Sequence, residues 1–139
     1  MPLQKKLGIA FVFSWFFFGG IGHFTATTFF TSIVPPYIPY PEEVVYISGV
    51  FELLGAAGIL IKPLRWLAGT GLFLLTLAVS PANINMFLHP EQFSEVHIGP
   101  IDAHLTQTGL GVRLIVQIFL LAVIVWSTML PVKEAKAAA

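Results

Sequence analysis

The sequence predicts an all-α fold, an integral membrane four-helix bundle in a single domain with both termini on the cytoplasmic side. Three observations predict it. Of 139 residues, 56% are hydrophobic and 10% charged, where soluble domains carry about 25% charged residues; the mean hydropathy is +0.85. Four apolar runs each reach about 18 residues or more, the length that crosses a bilayer. The cations segregate: Lys5, Lys6, Lys62, Arg65, Lys133 and Lys136 fall on one side of a four-span topology, while the opposite loops carry Glu42, Glu43, Glu91, Glu95 and Asp102. Lys and Arg stay with the cytoplasm, so that side is assigned as cytoplasmic.

The first helix is expected over about 7–30. Lys5 and Lys6 before an apolar stretch also suit a secretory signal, but the run is long for one and no A-x-A site closes it. The proline-rich "IVPPYIPYPEE" cannot continue a helix, so 31–43 is an outer loop with a stiff, extended centre. The second helix is expected over 44–61, and "KPLR" makes a cytoplasmic turn at 62–65. The third covers 66–89, with Pro81 inside it predicting a kink and a freed carbonyl one turn earlier. Residues 90–109 form the long outer loop, the fourth helix covers 110–130, and 131–139 is a frayed tail.

Depth follows from about 1.5 Å of rise per residue. Glu52 lies roughly 12 Å inside the second helix. Gln117 reaches a similar level, and Arg113 is one turn shallower on the same helix face. His23 and Asn83 come late in helices that rise from the cytoplasm, and His89 marks the outer rim. Polar side chains from all four helices therefore share the outer half of the membrane. An ionised group facing lipid costs about 2.5–3.5 kcal/mol, so these groups are expected to face the interior. Glu52 and Arg113 are the expected ion pair and the expected catalytic residues; His23, Asn83, Gln117 and His89 are the expected ligand-binding residues. Small residues flank the polar ones, with Ser48, Gly49, Gly55 and Ala56 around Glu52 and Gly19 and Gly20 beside His23. Such stripes let helices approach closely.

Two readings compete for this constellation. In one, a buried Glu52–Arg113 pair with Asn83, Gln117 and His23 fixes helix register, although such pairs are rarely a net source of stability. In the other, the groups line a pocket open to the outer face, which binds a small molecule or relays protons. A transporter is a weaker third reading, because four helices are few for alternating access. A metal site from His89, His97 and His104 with Glu91, Glu95 and Asp102 has no compact spacing, so no metal is expected. His23 and His89 as haem ligands would sit at different depths. Tyr37, Tyr40, Tyr46, Trp66 and Trp126 suit interfacial anchors. Without cysteine, the chain supplies neither disulfides nor thiol chemistry. Phosphate loops, nucleophile elbows and basic nucleic-acid patches are missing from the sequence, so nucleic acid is not an expected partner.

The segments "IVPPYIPYPEEVVYISGVFELLGAAGILI", "SPANINMFLHP" and "RLIVQIFLLAVIVW" together resemble the short, stand-alone branch of the DoxX-like membrane proteins, from His23 to Trp126. The resemblance implies a four-helix bundle in the bacterial cytoplasmic membrane, related to the membrane subunit of thiosulfate:quinone oxidoreductase and to MauE proteins. It supplies no catalytic residues to carry over. It makes a quinone the candidate cofactor, and a homo-oligomer or redox partner subunit the candidate protein partner. Whether the chain is an enzyme, as a subunit of a quinone-linked oxidoreductase, or a non-catalytic binding protein is left open.

Overall fold

A computed structural model describes residues 1–93, 95–98, 101–103 and 106–131. Among the described residues there are five α-helices: α1 (Leu3–Thr25), α2 (Thr27–Ser32), α3 (Pro41–Leu60), α4 (Arg65–Leu88) and α5 (Gln107–Ile124), the last continued by a π-helical turn over Val125–Met129. Four helices, with the π turn extending the last, are long and apolar enough to cross a membrane. Around the bundle, α1 packs on α3, α3 on α4, α4 on α5, and the end of α5 returns to α1. The end where α1 begins and α5 finishes is called the base below, and the opposite end the top.

The element boundaries differ from the sequence expectation for local reasons. The expected first helix breaks at Ala26, which leaves helical dihedrals at φ −125°, ψ 39°. The break falls in a threonine-rich stretch, where β-branching weakens the helix, and the Thr27 hydroxyl donates to the His23 carbonyl at 2.8 Å. α3 begins at Pro41, three residues earlier than expected, because Pro is well placed in a first turn; Tyr40 before it takes the left-handed conformation at φ 54°. Pro81 is accommodated inside a continuous α4. α5 starts at Gln107, where the Thr106 hydroxyl accepts from Gly109 N at 3.1 Å. In the expected outer loop, Pro90–Phe93 forms a 3₁₀ turn, and Val96–Ile98 (β1) pairs antiparallel with Ile101–Ala103 (β2). The expected tail, apart from Pro131, lies outside the described residues.

Small residues let the helices approach closely. Gly20 and Gly49 hold α1 against α3: a methyl at Gly20 would meet Leu53 Cγ at 2.8 Å, and one at Gly49 would meet His23 Cβ at 2.7 Å. Toward the base, Leu72 of α4 fills the space beside Gly55, and Ala68 packs on Gly58. There α1 and α5 also meet, through Gly8 against Trp126 and the ring contact between Phe11 and Phe119 at 6.1 Å. A base core including Val12, Phe16, Ile59, Leu72, Leu120 and Ile124 fills this half. Two cations cap carbonyls at helix C-terminal ends, where positive charge is favoured. Lys5 Nζ donates to Leu130 O, and Arg65 Nε donates to Ile59 O at 2.7 Å. A second apolar cluster of Phe29, Ile33, Met86, Phe93 and Leu110 closes the top.

Candidate functional site

Between the two apolar cores lies a cavity of about 630 Å³, within the size range of small-molecule sites. Two helix pairs enclose it. Toward the top, α1 and α3 stay tightly packed and form one wall, while α4 and α5 stay hydrogen-bonded and form the other. His23, Glu52, Asn83, Arg113 and Gln117 all line this space, as the sequence predicts for a shared polar slab. His89 does not line it. The His89 side chain lies at the surface, 3.6 Å from Glu91 Oε1 and 48% exposed.

On the α1–α3 wall, the glycines bring His23 and Glu52 together. His23 Nδ1 is 2.8 Å from the Val45 carbonyl, which can only accept, so Nδ1 carries its hydrogen. Ser48 Oγ sits 3.0 Å from the same nitrogen and donates to Val45 O at 2.9 Å. The ring is thereby fixed with Nε2 turned to Glu52 Oε1 at 3.4 Å. Glu52 Oε2 lies against Gly19, where a Cβ would approach it to 2.9 Å. Both side chains are buried. A proton on Nε2 makes the pair ionic; the same proton on the carboxyl makes it neutral. The pair is thus a site that can hold, accept or release one proton.

On the α4–α5 wall the network is different in kind. Gln117 Oε1 accepts from Asn83 Nδ2 at 2.5 Å, and Gln117 Nε2 donates to Ser80 Oγ and to the Thr76 carbonyl, the latter at 3.3 Å. Thr76 O lies beside the Leu77 carbonyl, which Pro81 cannot serve because it lacks an N–H. Asn83 Oδ1 accepts from Arg113 Nε at 3.0 Å. This bond orients the guanidinium and leaves Nη1 and Nη2 with no hydrogen-bond partner among the described residues.

The expected Glu52–Arg113 ion pair does not form. Among the described residues, Glu52 pairs with His23 and Arg113 with Asn83, so each charge belongs to its own wall. The physical reason is the cavity, since the two helix pairs converge at the base and stand apart at the level of these groups. No described hydrogen bond or ion pair crosses it. Sequence reasoning also missed three partners, Ser48 as the companion of His23 and Thr76 and Ser80 as companions of Gln117. Their signal was present, because Thr76, Ser80 and Asn83 follow an i, i+4, i+7 stripe on α4, and Ser48 lies one turn before Glu52.

The expected opening to the outer face is also altered, because the break at Ala26 folds Phe30 back over the site. The Phe30 ring stacks 4.2 Å from that of His23. A side chain at Gly22 would meet Phe30 at 3.3 Å, so Gly22 makes room for it. With buried Ile33 and Pro35, Phe30 makes an apolar roof. Among the described residues searched, no group of three His, Cys, Asp or Glu could hold a metal ion; His104 of the weighed histidine set lies outside the described residues. Residues 12–130 match the family described as "Domain of unknown function (DUF8561)", and the chain belongs to it. No curated protein and no solved structure matches the chain.

Proposed function

We propose that this member of the DUF8561 family is a multi-pass protein of the bacterial cytoplasmic membrane, both termini cytoplasmic, which binds a small lipophilic molecule such as a quinone. The observation that carries the proposal is the pair of polar walls facing each other across one cavity, each bonded within itself apart from Arg113 Nη1 and Nη2, and with no described hydrogen bond or ion pair joining one to the other. A register device would close on itself through Glu52 and Arg113; a binding site keeps the two apart and lets the ligand join them.

The chemistry of the walls suits a ligand with two oxygen functions. Arg113 Nη1 and Nη2 form a planar fork of donors, pre-oriented by Asn83, for a carbonyl or a more anionic oxygen. His23 and Glu52 hold a proton at the other wall and can give it to, or take it from, a second oxygen. With one proton on the His23–Glu52 pair, the five side chains carry a net charge of +1 from Arg113, which favours electron-rich oxygens. His23 and Glu52 are buried, which strengthens interactions made at that wall. Catalytic roles for Glu52 and Arg113, a redox partner subunit or homo-oligomer, and the relation to DoxX-like proteins belong to the same proposal. The segments resembling that family contain Glu52, Asn83, Arg113 and Gln117, but neither His23 nor Thr76.

A second reading is favoured by one observation. The Asn83 and Gln117 side chains are satisfied by Arg113, Ser80, Thr76 and each other, so the α4–α5 network also serves as a register device for those two helices.

The test uses Trp15, which borders the cavity. A benzoquinone titrated into the purified protein quenches tryptophan fluorescence saturably, and Trp15→Phe removes most of the signal. Arg113→Leu weakens binding by about tenfold or more, equivalent to roughly 1.4 kcal/mol. Unsaturable quenching, or equal affinity in the Arg113→Leu variant, contradicts the proposal.

A further inference from the structure

The cavity reaches the outside of the bundle along one side of α1. Phe11, Ser14, Trp15 and Phe18 all line it, and all four are also exposed on the bundle surface. Their i, i+3, i+4, i+7 spacing makes a continuous stripe on one helix face, about 10 Å long. Phe18, at 69% exposure, stands at its upper end. At the lower end the Phe11–Phe119 ring contact closes the gap between α1 and α5, and just inside it Phe16 and Leu120 belong to the base core. Above that closure α5 offers Gln117 and the exposed Arg113 as the facing edge of the same cavity. Phe30, Ile33 and Pro35 line the cavity at its top end, and the gap beside α1 is a lateral route into the site.

We propose that the ligand is a tailed lipid: its oxygen-bearing head spans the two polar walls, and its single apolar tail leaves between α1 and α5 and lies along the Phe11–Ser14–Trp15–Phe18 stripe. This rests on the ligand-binding reading above. The chemistry at the gap fits, because the polar side chains of α5 stop at Gln117, one turn below Arg113, and the facing stripe of α1 is aromatic apart from the small Ser14. A head without a tail is accommodated by the cavity alone, whereas a tail needs the open lane past Ser14. Ser14 is exposed and makes no part of either polar wall, so enlarging it obstructs the lane without removing a site residue.

The experiment compares a benzoquinone bearing a ten-carbon tail with the same ring lacking it, in protein reconstituted in nanodiscs, for wild type, Ser14→Ala and Ser14→Trp. A diazirine at the tail's end then reports its position by photolabelling and peptide mapping. Ser14→Trp is expected to weaken the tailed probe by about tenfold more than it weakens the ring alone; Ser14→Ala changes the ratio of the two affinities little. The label is expected on α1 between Phe11 and Phe18 or on the facing side of α5. Equal weakening of both probes, no weakening of either, or labelling at Val44 and Ala78 between α3 and α4 overturns the tail route while the ring's binding keeps the ligand reading intact. If wild type binds neither probe, both inferences fall.

Discussion

Gly49→Ala tests how the α1–α3 wall is built, because helix propensity and packing predict opposite signs for it. A methyl group at Gly49 would lie 2.7 Å from His23 Cβ, 3.0 Å from Phe24 Cε2 and 3.2 Å from His23 Cγ. Carbon atoms rest at about 3.5–4.0 Å. The nearest atom is a Cβ fixed to the α1 backbone, so a rotamer change cannot relieve the contact and the helices must separate by roughly 1 Å. Overpacking of this kind costs about 1–3 kcal/mol. Alanine in place of a helical glycine returns about 0.5–1 kcal/mol, which leaves a net loss of up to about 2.5 kcal/mol. Gly71 provides the internal control, since nothing lies within 4 Å of a Cβ added there, and Gly71→Ala is expected to stabilise by about 0.5–1 kcal/mol. Thermal or denaturant unfolding of both variants in the same detergent measures the difference. If Gly49→Ala is as stable as Gly71→Ala, the close approach of α1 and α3 at His23 is wrong, and so is the positioning of His23 on Glu52.

Other expected outcomes follow from the two-wall arrangement. In double-mutant cycles, His23→Ala and Glu52→Gln couple by about 1.5–3 kcal/mol, as for a hydrogen bond to a charged group, whereas Glu52→Gln and Arg113→Leu are additive within about 0.5 kcal/mol. Strong coupling of the second pair would restore the ion pair that the sequence suggests. Gln117→Leu strands Asn83 Nδ2 and is expected to lower unfolding stability by about 1–3 kcal/mol, with unchanged stability showing the α4–α5 network to be dispensable. Thr106→Ala removes the side-chain cap of α5 and costs about 1 kcal/mol, read by the same unfolding assay.

The four long apolar helices were legible because the length of an apolar run and the exclusion of charge from it are read residue by residue. Depth was legible for the same reason: counting along helices brings His23, Glu52, Asn83, Arg113 and Gln117 to one level, and all five line one cavity. Pairing within that level was not. Depth fixes position along the membrane normal, while partner choice depends on where each helix stands around the bundle. Glu52 thus pairs with His23 on the adjoining helix α1 rather than with Arg113. The break at Ala26 was hidden by a hydrophobicity that runs unbroken through it; only the threonine cluster marks it. The roof it creates follows from the fit of Phe30 beside Gly22, a tertiary contact with no periodic signature.

The most direct measurement of the central claim is the identity and amount of lipophilic small molecule that co-purifies with the protein. Wild-type protein and the Glu52→Gln/Arg113→Leu double variant are purified in mild detergent, extracted, and quantified by mass spectrometry against protein concentration. The account predicts a tailed, oxygen-bearing molecule of the quinone class at near one per chain in wild type and its loss from a still folded double variant. Wild-type protein carrying only phospholipid, in an amount that the double variant retains, would contradict it.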